Sequence, residues 1–273
     1  MKSTMLVSVL LAFLLVQNSH SKNLPLDEVD DMSNELTPSF FPNYYDAPKR
    51  TTPEWVKIRQ APEPVVFKSY GSKVELECTA MGSPPPTIQW YKHNTKLTEN
   101  DLEFNHIEAH PDSLAKVTSK LVINYLLPRH EDMYRCVATS GKEEASALTK
   151  VIVENTMNQR DLNFTQLLQH KILGGFHQPK ITYFYTVNLD AISWDTVLPC
   201  RTVGNPKPSL MWLDPLMNEV PRDESQRVHV LRNGDLKITN IEWNDMGNYV
   251  CVVKNKLGED RIETFVYPMA STN

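Results

Sequence analysis

Apolar and polar residues alternate with period two in several short runs, the pattern of strands with one face buried. Val74-Glu75-Leu76-Glu77-Cys78 is the clearest, and it predicts a strand with Val74, Leu76 and Cys78 facing inward. Leu121, Ile123 and Leu126 stand fifteen, thirteen and ten residues ahead of Cys136, and Leu236, Ile238 and Ile241 stand at the same distances ahead of Cys251. Thr196 to Cys200, Leu210 to Trp212, Ala147 to Val153 and Arg261 to Tyr267 read as further strands, and Asn233-Gly234 predicts a tight turn. One stretch has a different period. Phe164, Leu167, Leu168 and Ile172 recur at helical spacing, with Asp161 to cap the start and Gly174-Gly175 to end the turn, which predicts a short amphipathic helix.

The two sets of strands are copies of one unit. Cys78 is followed twelve residues later by Trp90, as Cys200 is by Trp212, and the runs Gly82-Ser83-Pro84-Pro85-Pro86 and Gly204-Asn205-Pro206-Lys207-Pro208 place Gly and two Pro at identical offsets. Tyr134 precedes Cys136 by two residues and Tyr249 precedes Cys251 by two. Register shared over so many positions marks an internal repeat of about 120 residues. Asp245-Met246-Gly247-Asn248-Tyr249-Val250-Cys251 reads D-x-G-x-Y-x-C. That spacing resembles the corner of an immunoglobulin sandwich, where the Tyr bonds back to upstream backbone, the Cys bridges the sheets and a Trp packs on the bridge. The fold class expected is therefore all-β, two tandem immunoglobulin-like β-sandwiches of the intermediate or constant-like set, joined by a long, partly helical linker. In this reading Trp90, Tyr134, Trp212 and Tyr249 are core residues, and the repeat pairs Cys78 with Cys136 and Cys200 with Cys251. His130 and Asp132 stand where the second unit has Asp245 and Gly247, so a reshaped corner is expected in the first.

Along the chain this predicts a signal peptide over 1–21, from the apolar run Met5 to Val16 and the small residues Ser19 and Ser21. An acidic extension with Pro and aromatic residues follows over 22–53, with no period that predicts a fold of its own. The first sandwich is expected over 54–155, the linker with its helix over 156–178, the second sandwich over 179–268 and a tail over 269–273. A linker of this length exceeds the usual connection of a few residues. Its apolar face is expected to seal the joint between the sandwiches, to receive a partner together with the aromatic strand beside it, or to do both. Asn163-Phe164-Thr165 is the one N-x-S/T sequon, which makes Asn163 the expected glycosylation site.

Composition narrows the chemistry. A charge of −5 argues against nucleic acid, and the motifs of nucleophile elbows, zinc proteases and phosphate loops are missing. No catalytic residue, cofactor or metal is expected. No Cys pair has C-x-x-C spacing, and His106 and His110 read as loop residues. No stretch after the signal peptide is apolar enough to insert in a membrane. What is left is recognition by protein surface, by a secreted, extracellular and monomeric chain. Tyr183, Phe184 and Tyr185 are consecutive in an aromatic strand, so alternation predicts that at least one faces outward. Together with Phe164, Leu167 and Leu168 they form the expected binding patch.

Two disulfide-bonded sandwiches behind an acidic extension, the long linker and the run Thr264-Phe265-Val266-Tyr267-Pro268 resemble the insect neural/ectodermal development factor family, from about residue 50 onward. The resemblance implies binding of insulin-like peptides, sequestering them from their receptor and so lowering growth signalling. The alternative is a soluble neural adhesion or guidance protein that binds a cell-surface receptor.

Overall fold

The structure, a computed structural model, describes residues 52–97, 107, 109–154 and 175–270, all within one compact unit, Pro48–Asn273. The expected signal peptide, the extension up to residue 51, the helix with Phe164, Leu167 and Leu168, and Asn163 lie outside the described residues.

The first sandwich contains β1 (Trp55–Gln60), β2 (Val65–Ser69), β3 (Val74–Ser83), β4 (Thr87–Lys92), β5 (Thr95–Lys96), β6 (Leu114–Ile123), β7 (Asp132–Ser140) and β8 (Glu143–Glu154). The second contains β9 (His177–Ala191), β10 (Thr196–Leu198), β11 (Cys200–Asn205), β12 (Ser209–Leu213), β13 (Val228–Val230), β14 (Leu236–Ile238), β15 (Gly247–Asn255) and β16 (Gly258–Met269). Among the described residues there is no α-helix, only 3-10 turns at Pro128–His130 and Trp243–Asp245. The strand expected from Thr196 to Cys200 is broken at Pro199, which has no N–H to give to a ladder.

Each core is built as its alternation requires. Val74, Leu76 and Cys78 are buried; Cys78–Cys136 bridges two sheets, from β3 to β7, and Cys200–Cys251 ties β11 to β15, with Cα separations of 6.5 and 6.6 Å. Trp90 and Trp212 are fully buried, so their indole N–H groups need acceptors inside. Trp90 donates to Ser119 Oγ at 3.0 Å, and Trp212 to the Gly234 carbonyl at 2.9 Å. Gly234 has φ +95°, a conformation that costs glycine little, and this lets the Asn233-Gly234 turn aim that carbonyl inward.

The two corners are alike despite different residues, contrary to the reshaping expected from sequence. Asp245 Oδ2 accepts the Glu242 N–H at 2.8 Å, and His130 Nδ1 accepts the Leu127 N–H at 3.0 Å. His130 thus does for one 3-10 turn what Asp245 does for the other, and the Tyr134 hydroxyl donates to the His130 carbonyl at 2.8 Å. Asp245 is also held by Arg227, at 2.9 and 2.6 Å.

The sandwiches are not beads on a string. Among the described residues one eight-stranded sheet runs through both, in the order β1-β3-β6-β9-β16-β15-β12, with β11 also on β9. β9 joins them. Its first half pairs with β11, its second half runs parallel to β16, and its other edge pairs antiparallel with β6 from Ser119↔Tyr183 to Leu114↔Leu189. Without this pairing β6 and β9 would each leave a row of backbone groups uncovered.

Candidate functional site: the outer face of the shared sheet

Residues paired across a sheet point to the same side, so the registers assign each face. Ala115, Asn188 and Val266 are paired in sequence across three strands and are all buried on the core side. The neighbouring rows must point the other way. One is Lys57↔Met81↔Lys116↔Val187↔Phe265↔Asn248, a single line through both sandwiches, and the next is Leu114↔Leu189↔Tyr267. Met211↔Val252 and Leu213↔Val250 continue this face to the far edge.

An outward face is ordinarily polar, but this one also carries apolar residues among its charges. Phe265, Tyr267 and Met211 are 39, 38 and 36 % exposed, and Leu114, Val187, Leu189 and Leu213 are half-buried beside them. Trp243, 51 % exposed, meets the Tyr267 ring edge to face with centroids 5.9 Å apart. From β6 to β12 the face crosses five strands, or about 19 Å at the usual strand spacing. Exposed apolar residues gathered on one face are where an interaction surface is sought.

The aromatic residues singled out in the sequence lie elsewhere. Tyr183, Phe184 and Tyr185 are 0, 6 and 3 % exposed, so none of them presents a surface to a partner. Their side chains do alternate, but around Tyr183 to Tyr185 both faces of β9 are covered. Tyr183 and Tyr185 pair with the core residues Ser119 and Val117, and the Tyr183 hydroxyl donates to the Pro86 carbonyl. Phe184 points the other way and lies under the Lys120 ammonium, 5.6 Å from its ring. Burial pushes the Tyr183 and Tyr185 hydroxyls well above the usual phenol range, as befits core groups. Their uninterrupted apolar run, Ile181 to Val187 with two Thr, was itself a sign of a strand buried on both sides. For the exposed face the sign was in β16: Phe265 and Tyr267 occupy the parity of Arg261 and Glu263, where charge is the rule.

The joint beneath the face is polar at one point. The Asp190 carboxylate, buried, accepts from Ser113 Oγ of the first sandwich, from Thr196 Oγ1 at 2.8 Å and from the Ala191 N–H at 2.9 Å. Burial pushes its carboxyl above the usual range, against these donors. On the outer face Lys180 of β9 reaches Glu75 of β3 at 3.9 Å. Among the described residues no group of His, Cys, Asp and Glu has the arrangement of a metal site, and no helix is long and apolar enough to cross a membrane.

Strand order and disulfides together define a tandem immunoglobulin protein. Family models agree: residues 57–140 match an immunoglobulin domain and residues 192–266 an immunoglobulin I-set domain. The chain is 32% identical over 218 residues to the neural/ectodermal development factor IMP-L2 of Drosophila melanogaster, covering 79% of this chain and 78% of that one, and it belongs to that family. The crystal structure of neural ectodermal development factor IMP-L2 superposes with a TM-score of 0.65 at 30% identity, over 81% of this chain and 97% of that one. The Zwei Ig domain protein zig-4 of Caenorhabditis elegans is 29% identical over 84% of this chain and 85% of its own length.

Proposed function

We propose that this chain is a secreted, monomeric binding protein that sequesters insulin-like peptides and so antagonises insulin and growth-factor receptor signalling. The observation that carries the reading is the set of exposed apolar residues on the outer face of the shared sheet, Phe265 and Tyr267 on β16 and Met211 on the edge strand β12. An insulin-like hormone engages its receptor through apolar surface on a small body, and a trap must offer a surface complementary to it. Membership of the family supports the choice of hormone class, and the exposed aromatic residues support the choice of place. The trap is stoichiometric and has no turnover.

The test is a titration of labelled insulin-like peptide against the wild type, Phe265→Ala, Tyr267→Ala and Phe67→Ala. Aromatic anchors at the centre of an interface typically cost 2 kcal/mol or more when truncated, roughly 30-fold in affinity. That loss is expected for Phe265→Ala and Tyr267→Ala. Phe67 is exposed on the outer side of the other sheet of the first sandwich, and its truncation should leave affinity unchanged. Absence of saturable binding by the wild type overturns the hormone reading. A receptor ectodomain recovered from extracellular fluid in its place would support neural adhesion.

A further inference from the structure

The same face carries a cationic shoulder that its fold does not need. Lys57 and Lys116 flank Met81 in one lateral row, and the Arg59 guanidinium lies over the Met81 sulfur at 3.8 Å. Three cations therefore surround one thioether, and among the described residues none of the three has a carboxylate partner. Three lysines on this side lie beside carboxylates, while Arg261 and Glu263 of β16, four and two residues from Phe265, are exposed on it as well. Lys120 pairs with Glu77 at 3.2 Å, and Lys73 and Lys180 lie 2.6 and 3.9 Å from Glu75. Like charges gathered on neighbouring strands destabilise a sheet. Lysines on an edge strand serve to prevent edge-to-edge pairing, which accounts for Lys57 and Arg59 on β1. It does not account for Lys116, two strands further in on β6.

The shoulder is continuous with the apolar surface. Lys116 is separated from Phe265 only by Val187, two strand spacings or about 10 Å, so one small partner covers both. We infer that the partner bound on this face is a polypeptide that sets carboxylate side chains, beside its apolar surface, against Lys57, Arg59 and Lys116. This rests on the proposed hormone binding for the identity of the partner, not for its chemistry. A sulfated glycan would use the cations but has no use for Phe265 in the same row. Attraction of this kind acts mainly on the rate of encounter and is screened by salt.

Two measurements on the full chain separate the possibilities. In the first, association and dissociation rates of an insulin-like peptide are followed at low and high salt for the wild type, for the triple variant Lys57→Glu, Arg59→Glu, Lys116→Glu, and for Lys150→Glu on the other sheet. The triple variant should associate on the order of tenfold more slowly and lose most of the salt dependence, with dissociation changed less, while Lys150→Glu behaves as wild type. In the second, a synthetic peptide with three Glu beside a Leu-Phe pair is titrated while nuclear magnetic resonance signals of Lys57, Arg59, Lys116 and Phe265 are followed, with a Gln-for-Glu peptide as control. The Glu peptide alone should shift them. If the hormone fails to bind yet the Glu peptide shifts these signals, the shoulder stands and the hormone reading falls. If the hormone binds with equal rates and salt dependence in wild type and triple variant, the inference is wrong. It is also wrong if the trio governs retention on a heparin resin while neither peptide distinguishes Glu from Gln, since the ligand is then a glycan.

Discussion

Tyr183→Ala tests whether the two sandwiches fold as one body. Tyr183 belongs to β9 of the second sandwich, yet it pairs with Ser119 of the first and is wholly buried. Truncating a large buried aromatic costs about 3–5 kcal/mol in lost contacts and residual cavity. That is a large share of the 5–15 kcal/mol that holds a domain together. For a cooperative unit of this size each kcal/mol lowers Tm by about 2–4 °C, so a fall of roughly 6–20 °C is expected. Calorimetry should show a single transition in wild type and variant. Hydrogen exchange should show protection lost in β3 and β4 as well as in β9, β11 and β15. If β3 and β4 keep wild-type protection while the second sandwich opens, the shared sheet is a contact between independent domains and the coupling is refuted.

The remaining predictions concern the core and one corner. Cys200→Ser removes a bridge across a sequence separation of 51, worth about 4 kcal/mol in the chain-entropy model, and leaves a gap beside Trp212. Secreted yield should collapse and near-ultraviolet circular dichroism should change; normal values for both would contradict the pairing. His130 caps its turn by accepting at Nδ1, which it does only when that nitrogen is unprotonated. Burial, with Arg129 and Lys92 nearby, holds its imidazole below the ordinary 6.5. A depressed value means the cap contributes fully above about pH 6.5 and is lost as pH falls below it. His130→Asp, which copies Asp245, should therefore flatten the loss of urea resistance between pH 7.5 and 5. Parallel curves for the two proteins would show that His130 does not cap.

Much of the architecture was legible because it is local. Period-two runs, the Cys to Trp spacing and the Tyr two residues before each second Cys are all set within single strands or adjacent turns, and they were found where expected except for the run Thr196 to Cys200, which Pro199 breaks. The pairing of β6 with β9 was not legible. It joins residues some seventy positions apart, and nothing in Leu114 to Ser119 names Tyr183 to Leu189 as a neighbour. The aromatic run was misjudged for the same reason: alternation says which way Phe184 points, but only the partner strands decide whether water is there. His130 was misjudged for a chemical reason, since an imidazole nitrogen accepts the same N–H as a carboxylate.

The edge-to-edge pairing of β6 with β9 also bears on modularity. In an array of independent domains one unit can be exchanged alone, because each has its own core and few contacts cross the boundary. Here neither half closes alone, and the row from Lys57 to Asn248 draws residues from both. Exchange of one sandwich would open two sheet edges, at β6 and at β9, and cut that row in half, so a chimera that keeps either sandwich intact has to carry both.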